Sequence, residues 1–508
     1  MRAVKRASAR KALEVMNTGY SNSGANRQKK SMRGWLYKGG SVKEDIEDNL
    51  DTLRQRTRDL FMNTPIATGA IKTVRTNVIG SGLVLNSQID YEFLGLNPEE
   101  ADEWETVAER EFSLWADSIM ADAMQMHNFY ELQQLAFLSF LTSGENFTLM
   151  PYRPHSQHPY GLRVQLIEAD RVSQPNGNYK NIFSGVELGN YGEVIAYHIC
   201  NVHPLAESGG QKSWTRVLKF GAKSGRQNIL HLMESERPEQ RRGVPVLSPV
   251  IESLKQLDRY SESELTAALV SALMTVFIES TDEEGGSEAW GEGVPEEEQI
   301  DTQDHNSLEL APGSVIALAP GEKAITSNPA RNNASFDPFV TAILRQVGSA
   351  LELPYEILVK HFTSSYSASR AALLEAWKMF KMRRTFMATR FCQPIYEEWL
   401  TEAILIGRIQ APGFLENPLV RKAYARAEWN GPAQGQLDPL KEVNAAIKRV
   451  DEGFSTRARE TVELNGGDWW RNHAQRVREE EARRGAGFGG QQPVTVLEKE
   501  VKEEDGED

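Results

Sequence analysis

A chain of 508 residues, with 40% hydrophobic, 8% aromatic and 25% charged side chains, is long enough to bury the cores of roughly two to four soluble domains. A formal net charge of -14 excludes a simple nucleic-acid clamp, because tight duplex binding needs Lys and Arg to neutralise phosphates; it leaves room for a surface past which a polyanion slides. Cys200 and Cys392 cannot build a disulfide framework or a CxxC site, and the longest apolar run, Leu265 to Ile278, is shorter than the ~18 residues of a bilayer span, so a reducing compartment and no membrane are expected.

Residues 1–41 read as a basic mobile arm, with Arg2, Lys5, Arg6, Arg10 and Lys11 and the single acid Glu14. No apolar stretch follows those charges, so a secretory signal is not expected. From Val42 to Val78 the pattern is helical: Ile46, Leu50, Leu53, Thr57 and Leu60 share a face, and Pro65 opens a second helix through Ile66, Ala70, Ile71 and Val74. Gly80-Ser81-Gly82 stops it before a strand at Leu83–Leu85; the glycines complete neither GxGxxG nor GxxxxGK[ST]. Asn97-Pro98 opens a helix reaching Trp115, and another spans Phe129 to Thr142. Strands are predicted at Phe147–Tyr152, Leu162–Ile167, Gly185–Leu188 and Val194–His198, the last two joined by a turn at Gly189-Asn190-Tyr191-Gly192. These elements define an α+β body.

Pro245 and Pro249 lead into a long helix predicted over Val250–Ile278. Composition then breaks: Glu279 to Asp304 holds no Lys or Arg but many acids among glycines, including Glu296, Glu297 and Glu298, followed by short strands at Leu308–Leu310 and Ser314–Leu318. A helix resumes at Phe336 with Phe339, Ile343, Val347 and Leu351 in one stripe, and Pro354 stops it. A polar loop, Lys360-His361-Phe362-Thr363-Ser364-Ser365-Tyr366, precedes a further helix capped near Ser367–Ser369 and continuing through Leu373, Leu374, Trp377 and Phe380 toward Gly407. Beyond Pro412-Gly413 lie a helix from Pro439 through Val450, a segment at Thr461–Leu464, the Trp469-Trp470 pair and, from residue 485, a Gly/Gln-rich and then acidic tail read as disordered.

The nine histidines form no HExxH or His/Cys cluster; His155 and His158 flank prolines, and His198 and His203 straddle a strand end, so neither metal nor cofactor is expected. The acids around Glu296–Glu298 raise the alternative of a metal-dependent nucleic-acid hydrolase, but ligands set among Gly and Ser lack rigid support. Absence of a Walker A pattern assigns any ATP-driven work to a partner.

Several stretches, in order over roughly 380 residues, resemble the lambda family of tailed-phage portal proteins. They are Asn63-Thr64-Pro65-Ile66-Ala67-Thr68-Gly69-Ala70-Ile71 with Asn77 to Gly82; Gln165 to Arg171; Ala196-Tyr197-His198-Ile199; His231 with Arg237-Pro238-Glu239-Gln240-Arg241-Arg242-Gly243-Val244-Pro245; Leu353 to Glu356 through Tyr366 to Ala371; and Asp438-Pro439-Leu440-Lys441-Glu442. The resemblance implies a non-enzymatic ring, usually of twelve subunits, at one capsid vertex of the virion, through which double-stranded DNA is packaged and ejected. Its implied partners are a packaging terminase, a head-tail adaptor, and major capsid and scaffold proteins; a scaffold or adaptor without a channel is a further alternative. The implied architecture is an α/β wing over 42–242, a first stem helix over 243–278, an acidic clip over 279–335 that docks partners through Glu296–Glu298, a second stem helix over 336–353, a tunnel loop over 354–366, a spine helix over 367–411 and a helical crown over 412–484, with the tail over 485–508. In that frame Lys360 and His361 are the groups that would touch phosphate without reading bases, the Thr363, Ser364 and Ser365 hydroxyls would bond oxygens weakly, and Phe362 and Tyr366 complete the DNA-contacting loop. Lys378, Lys381 and Arg384 form a basic stripe that faces either DNA or acids of a neighbouring subunit, the second being favoured.

Overall fold

A computed structural model describes residues 30, 34–35, 39–177, 179–207, 210–272, 276–278, 315–317, 336–362, 365–435 and 438–486. It separates residues 1–50 and 51–508 as two compact units. In the first, a single helical turn at Val42–Asp45 starts from a reciprocal cap in which the Ser41 amide donates to Glu44 at 2.8 Å.

The second unit takes α1 (Leu50–Asn63) from its second residue, Asp51, onward, followed by α2 (Pro65–Val78); the two are separated at Thr64 because Pro65 is accepted only in a first helical turn. Strand β1 (Val84–Ser87) follows, then α3 (Pro98–Ala116) and α4 (Phe129–Ser143), each started by an Asn side chain that accepts from the amide three residues on. Two antiparallel sheets come next. Strands β2 (Glu145–Leu149), β3 (Gln165–Ile167) and β8 (Ile229–Met233) form one, with β2 central. Strands β4 (Ile182–Phe183), β5 (Val186–Leu188), β6 (Val194–Cys200) and β7 (Trp214–Leu218) form the other as a meander. Phe147, Ile167 and Ile229 meet Val186, Tyr197 and Ile199 between the sheets in a small core of their own.

Helix α5 (Ile251–Ala272) ends before the predicted Ile278, and Val276–Ile278 is instead a strand, β9, paired in parallel with β10 (Val315–Ala317). The β-branched and aromatic residues Val276, Phe277 and Ile278 suit a pleated surface better than a helix turn. Helix α6 (Phe336–Ala350) returns along α5, with Tyr260 stacked on Phe336 and edge-on to Phe339. A short helix, α7 (Tyr355–Val359), absent from the sequence reading, precedes α8 (Tyr366–Met387). The chain then passes through a π-helical turn at Ala388–Cys392 into α9 (Gln393–Leu405). That wide turn lets a continuous helix tolerate Pro394, which has no amide to donate. Helix α10 (Pro418–Tyr424), strand β11 (Ala427–Asn430) and helices α11 (Pro439–Asp451), α12 (Arg457–Asn465) and α13 (Trp469–Gly485) complete the unit. Strand β11 pairs antiparallel with β1, and around this joint Phe112, Phe129, Tyr396, Trp399 and Trp429 pack edge to face.

The densest feature is a buried charge cluster at the first residue of β2. One carboxylate oxygen of Glu145 accepts from Arg54 and, at 2.8 Å, from Arg242; the other accepts from the His231 ring and the Gly243 amide, both at 2.8 Å. Arg54 also donates to the Ser143 carbonyl at 3.1 Å, and Arg242 to those of Ala169 and Val172 at 2.8 Å, so both guanidiniums are well satisfied. Burial alone would raise the Glu145 carboxyl, but the Arg242 and Arg54 guanidiniums outweigh it and hold it far below the usual carboxylate range. Burial lowers the pKa of His231, consistent with a neutral ring that donates from Nε2 to Glu145 and accepts at Nδ1 from Tyr197 at 3.4 Å. Two glycines admit this arrangement: a Cβ on Gly144 would lie 2.5 Å from the carbonyl carbon of Gly243, and one on Gly243 would lie 2.0 Å from the Gly144 oxygen.

Two half-buried carboxylates lie on α3, where Glu105 and Glu109 accept from the amides of Ile89 and Ser87 at 2.7 and 2.9 Å at and just past the end of β1. Burial first, then the nearby acids Asp102, Glu109 and Asp468, pushes Glu105 up to about 7, and burial with Asp468 takes Glu109 to about 7.

Replacing Glu145 with Gln leaves two buried guanidiniums without a counter-charge and is expected to cost about 3–5 kcal/mol by denaturant unfolding; a loss below ~1 kcal/mol would show that water reaches the cluster. For Glu105 and Glu109 the raised folded pKa means their stability contribution is full below about 4.5 and lost as pH rises through 7. The double change Glu105→Gln and Glu109→Gln should therefore raise the melting temperature at pH 8.5 and change it little at pH 5, and an equal shift at both would refute the burial argument.

Candidate nucleic-acid interface

The loop between α7 and α8 is held at both ends. At the end of α6 the Leu353 amide donates to the Gly348 carbonyl at 2.8 Å, while Glu352 takes a left-handed conformation, φ 57°. Glycine is required at 348, since a Cβ there would stand 2.5 Å from the Leu353 oxygen. Pro354 then starts α7, whose Ile357 and Leu358 are buried. Helix α7 packs on α2 and α6, and α8 on α2. At the other end the Ser365 side chain accepts from the Ala368 amide at 3.5 Å and caps α8.

Lys360 closes α7 in the left-handed region, φ 57°, and His361 donates its amide to the Glu356 carbonyl at 3.1 Å. A left-handed position after a helix is normally given to glycine; a lysine there costs about 1–2 kcal/mol. Lys360, His361 and Ser365 are exposed, and Phe362 is 57% exposed at the tip. Thr363 and Ser364 lie outside the described residues, as do Glu296, Glu297 and Glu298, and nothing is described for the Tyr366 side chain.

Lys378, Lys381 and Arg384 are not one stripe. Steps of three residues lag a 3.6-residue turn by about 60° each, which carries Arg384 about 120° around α8 from Lys378. Arg384 turns inward, donating to the carbonyls of Val78 at 3.1 Å and Asn77 at 2.9 Å, and so caps the C-terminus of α2. Its guanidinium lies 5.2 Å from the Trp377 ring centre, and burial lowers its pKa to about 10. Lys381 pairs with Glu463 at 3.1 Å and Lys378 with Glu375 at 2.6 Å, so the acids described here belong to the same chain. The exposed pairs are worth little, about 0–1 kcal/mol each.

Elsewhere Glu168, Asp170 and His203 lie close enough to share an ion. Arg58 already reaches both acids, Glu168 at 3.6 Å and Asp170 by a direct contact, and supplies the positive charge the cluster needs. Among the described residues no helix is long and apolar enough to cross a membrane.

The chain belongs to the phage portal proteins of the lambda family, whose description matches residues 28–384. Portal proteins are structural components of phage virions rather than enzymes, and the role of this chain is a structural portal role. Portal protein B of Escherichia phage lambda is 26% identical over 482 residues, covering 90% of this chain and 88% of that one. The portal protein of Escherichia phage N15 is 25% identical over 481 residues, covering 90% and 89%, and the probable portal protein of Halomonas phage phiHAP-1 is 24% identical, covering 81% and 77%. Among solved structures, a chain from the virion of a native gene transfer agent particle shares 13% identity over 82% of this chain and 93% of that chain, with a TM-score of 0.39.

Lys360→Gly removes the left-handed penalty and should raise stability by up to about 1 kcal/mol, whereas Gly348→Ala, clashing with a backbone carbonyl, should lower it by at least about 1 kcal/mol. Thermal unfolding of both variants checks the pair; a Lys360→Gly chain no more stable than the parent would remove the case for strain at this residue.

Proposed function

We propose that the chain assembles with copies of itself into a ring, of twelve subunits in the family pattern, at one vertex of a capsid, and that double-stranded DNA enters and leaves through its axis. The observation that carries this reading is the family match over residues 28–384, together with relatives named as portal proteins whose similarity extends over 90% of the chain. In this frame the sheets and helices up to residue 242 are the wing, α5 and α6 the stem, residues 279–335 the clip, residues 354–366 the tunnel loop, α8 to α9 the spine, and the helices after residue 412 the crown. A packaging terminase docks during filling and a head-tail adaptor afterwards, through the clip and its Glu296–Glu298; capsid and scaffold proteins surround the ring.

The mechanism is that of a conduit. A net charge of -14 limits sticking of a polyanion, and the exposed Lys360 and His361 touch phosphates transiently and without reading sequence. The cost of holding a lysine in the left-handed region supports a demand for charge at that point. Hydroxyls of Thr363, Ser364, Ser365 and Tyr366 add weak contacts to phosphate oxygens.

The chain expressed alone and examined by negative-stain imaging with native mass measurement should give rings with a hole wide enough for a duplex. In particles, Lys360→Ala with His361→Ala should leave ring mass unchanged while altering the DNA packaging rate and flattening its salt dependence. A chain that stays monomeric at high concentration and in particles, or a double variant with unaltered DNA passage at every salt concentration, overturns the ring or the loop assignment respectively.

A further inference from the structure

Helix α11 carries two faces. Ala446 is buried, Glu442 is paired with Arg370 of α8 at 3.0 Å, and Arg449 is paired with Glu460 of α12 at 2.9 Å, which together fix how α11 sits on the unit. Away from those contacts, Leu440, Val443, Ile447 and Phe454 are 78%, 41%, 51% and 80% exposed, and with half-buried Val450 they recur at alternating steps of three and four residues. That 3-4 spacing is the narrow seam of a helix-on-helix contact rather than the broader face of a helix lying on a domain core. The seam extends past the end of the helix, since Phe454 follows the left-handed Gly453 and its amide returns to the Arg449 carbonyl at 2.8 Å.

A second unmated helix lies in the same region. Helix α13 packs on α12 through its first turn, where Trp469 stacks on His473, but Trp470 and Val477 are 61% and 43% exposed and nearly every later residue faces solvent. An isolated 17-residue helix is only marginally stable in water. Trp470, His473 and Val477 repeat the 3-4 spacing, and exposed Arg476 and Arg483 flank that line, while exposed Asp451 and Glu452 end the α11 seam. Within one chain the two stripes do not mate, because both are exposed.

We propose that the α11 seam of one copy receives α13 of the next copy. The two stripes are different surfaces, so the contact is head-to-tail, the kind that repeats around a closed ring. The apolar residues supply the contact, and the Arg476 and Arg483 guanidiniums against Asp451 and Glu452 set its direction. This rests on the ring reading above.

The test uses the full chain carrying Ile447→Cys and Val477→Cys, in which Cys200 and Cys392 are buried. A short thiol-reactive cross-linker should give a ladder of multimers on a denaturing gel from the double variant and no ladder from either single one. Leu440→Glu with Ile447→Glu, at positions exposed in the single chain, should keep its helical circular dichroism while the ring fraction falls about tenfold at fixed concentration. Rings that form normally with no ladder, and with Glu at both positions harmless, overturn the seam and leave the ring reading intact. Cross-linking of Ile447→Cys alone into dimers overturns the head-to-tail pairing, and chains that remain monomeric throughout overturn both readings.

Discussion

One buried carboxylate organises the α/β part of the unit. Glu145 takes its four hydrogen bonds from α1, β8 and the segment after it, and the two guanidiniums it holds reach on to the carbonyls of Ser143, Ala169 and Val172. A buried ion pair gives little net stability over an apolar substitute, so its use here is geometric. Residues 54, 145, 231 and 242 can be satisfied together only when α1, the central strand β2 and the segment leading into α5 are all in register. The pair of facing glycines at 144 and 243 is what allows the backbones to come that close.

Helix α8, the π-helical turn and α9 transmit that order across the unit. At one end Ser365 caps the helix beside the exposed loop; at the other Tyr396 and Trp399 enter the aromatic core, and Glu402 accepts from the Leu162 amide at 2.9 Å. Arg384 pins the middle to the end of α2. A loop mounted on a helix so anchored is presented from a rigid base, although the residues at its own tip are exposed.

Much of this was legible in the sequence because local signals were strong. Asn97 with Pro98, Pro65, and the apolar stripes of α4 and α6 marked helices whose capping and packing agree. The end of α5 differs from the predicted Ile278 because Leu265 to Ile278 is mostly apolar, broken only by Thr266, Ser271 and Thr275, and periodicity alone does not separate a buried helix from a strand rich in Val, Phe and Ile. The short helix α7 was hidden by reading Pro354 only as a stop, when it is also a start. The basic stripe was drawn from spacing without following the drift of a 3.6-residue turn. The charge cluster was not legible because its members are far apart in the chain: Tyr197, His231, Arg242 and Gly243 fall in the stretches that carried the family resemblance, whereas Arg54 and Glu145 do not. Several of those stretches therefore hold contacts of the scaffold rather than exposed charge.

The pairing of β1 with β11 has a temporal side. Gln88 and Glu428, which meet beside that joint, are 340 residues apart, so the loop closed there is most of the protein. Closure over such a length is slow, and it cannot begin until residue 430 has been synthesised. The aromatic contacts of Phe112 with Tyr396, Trp399 and Trp429 around this joint likewise join residues far apart in the chain. Until residues 427–430 are made, β1 has no partner strand, and the unit lacks the joint that ties its start to its end.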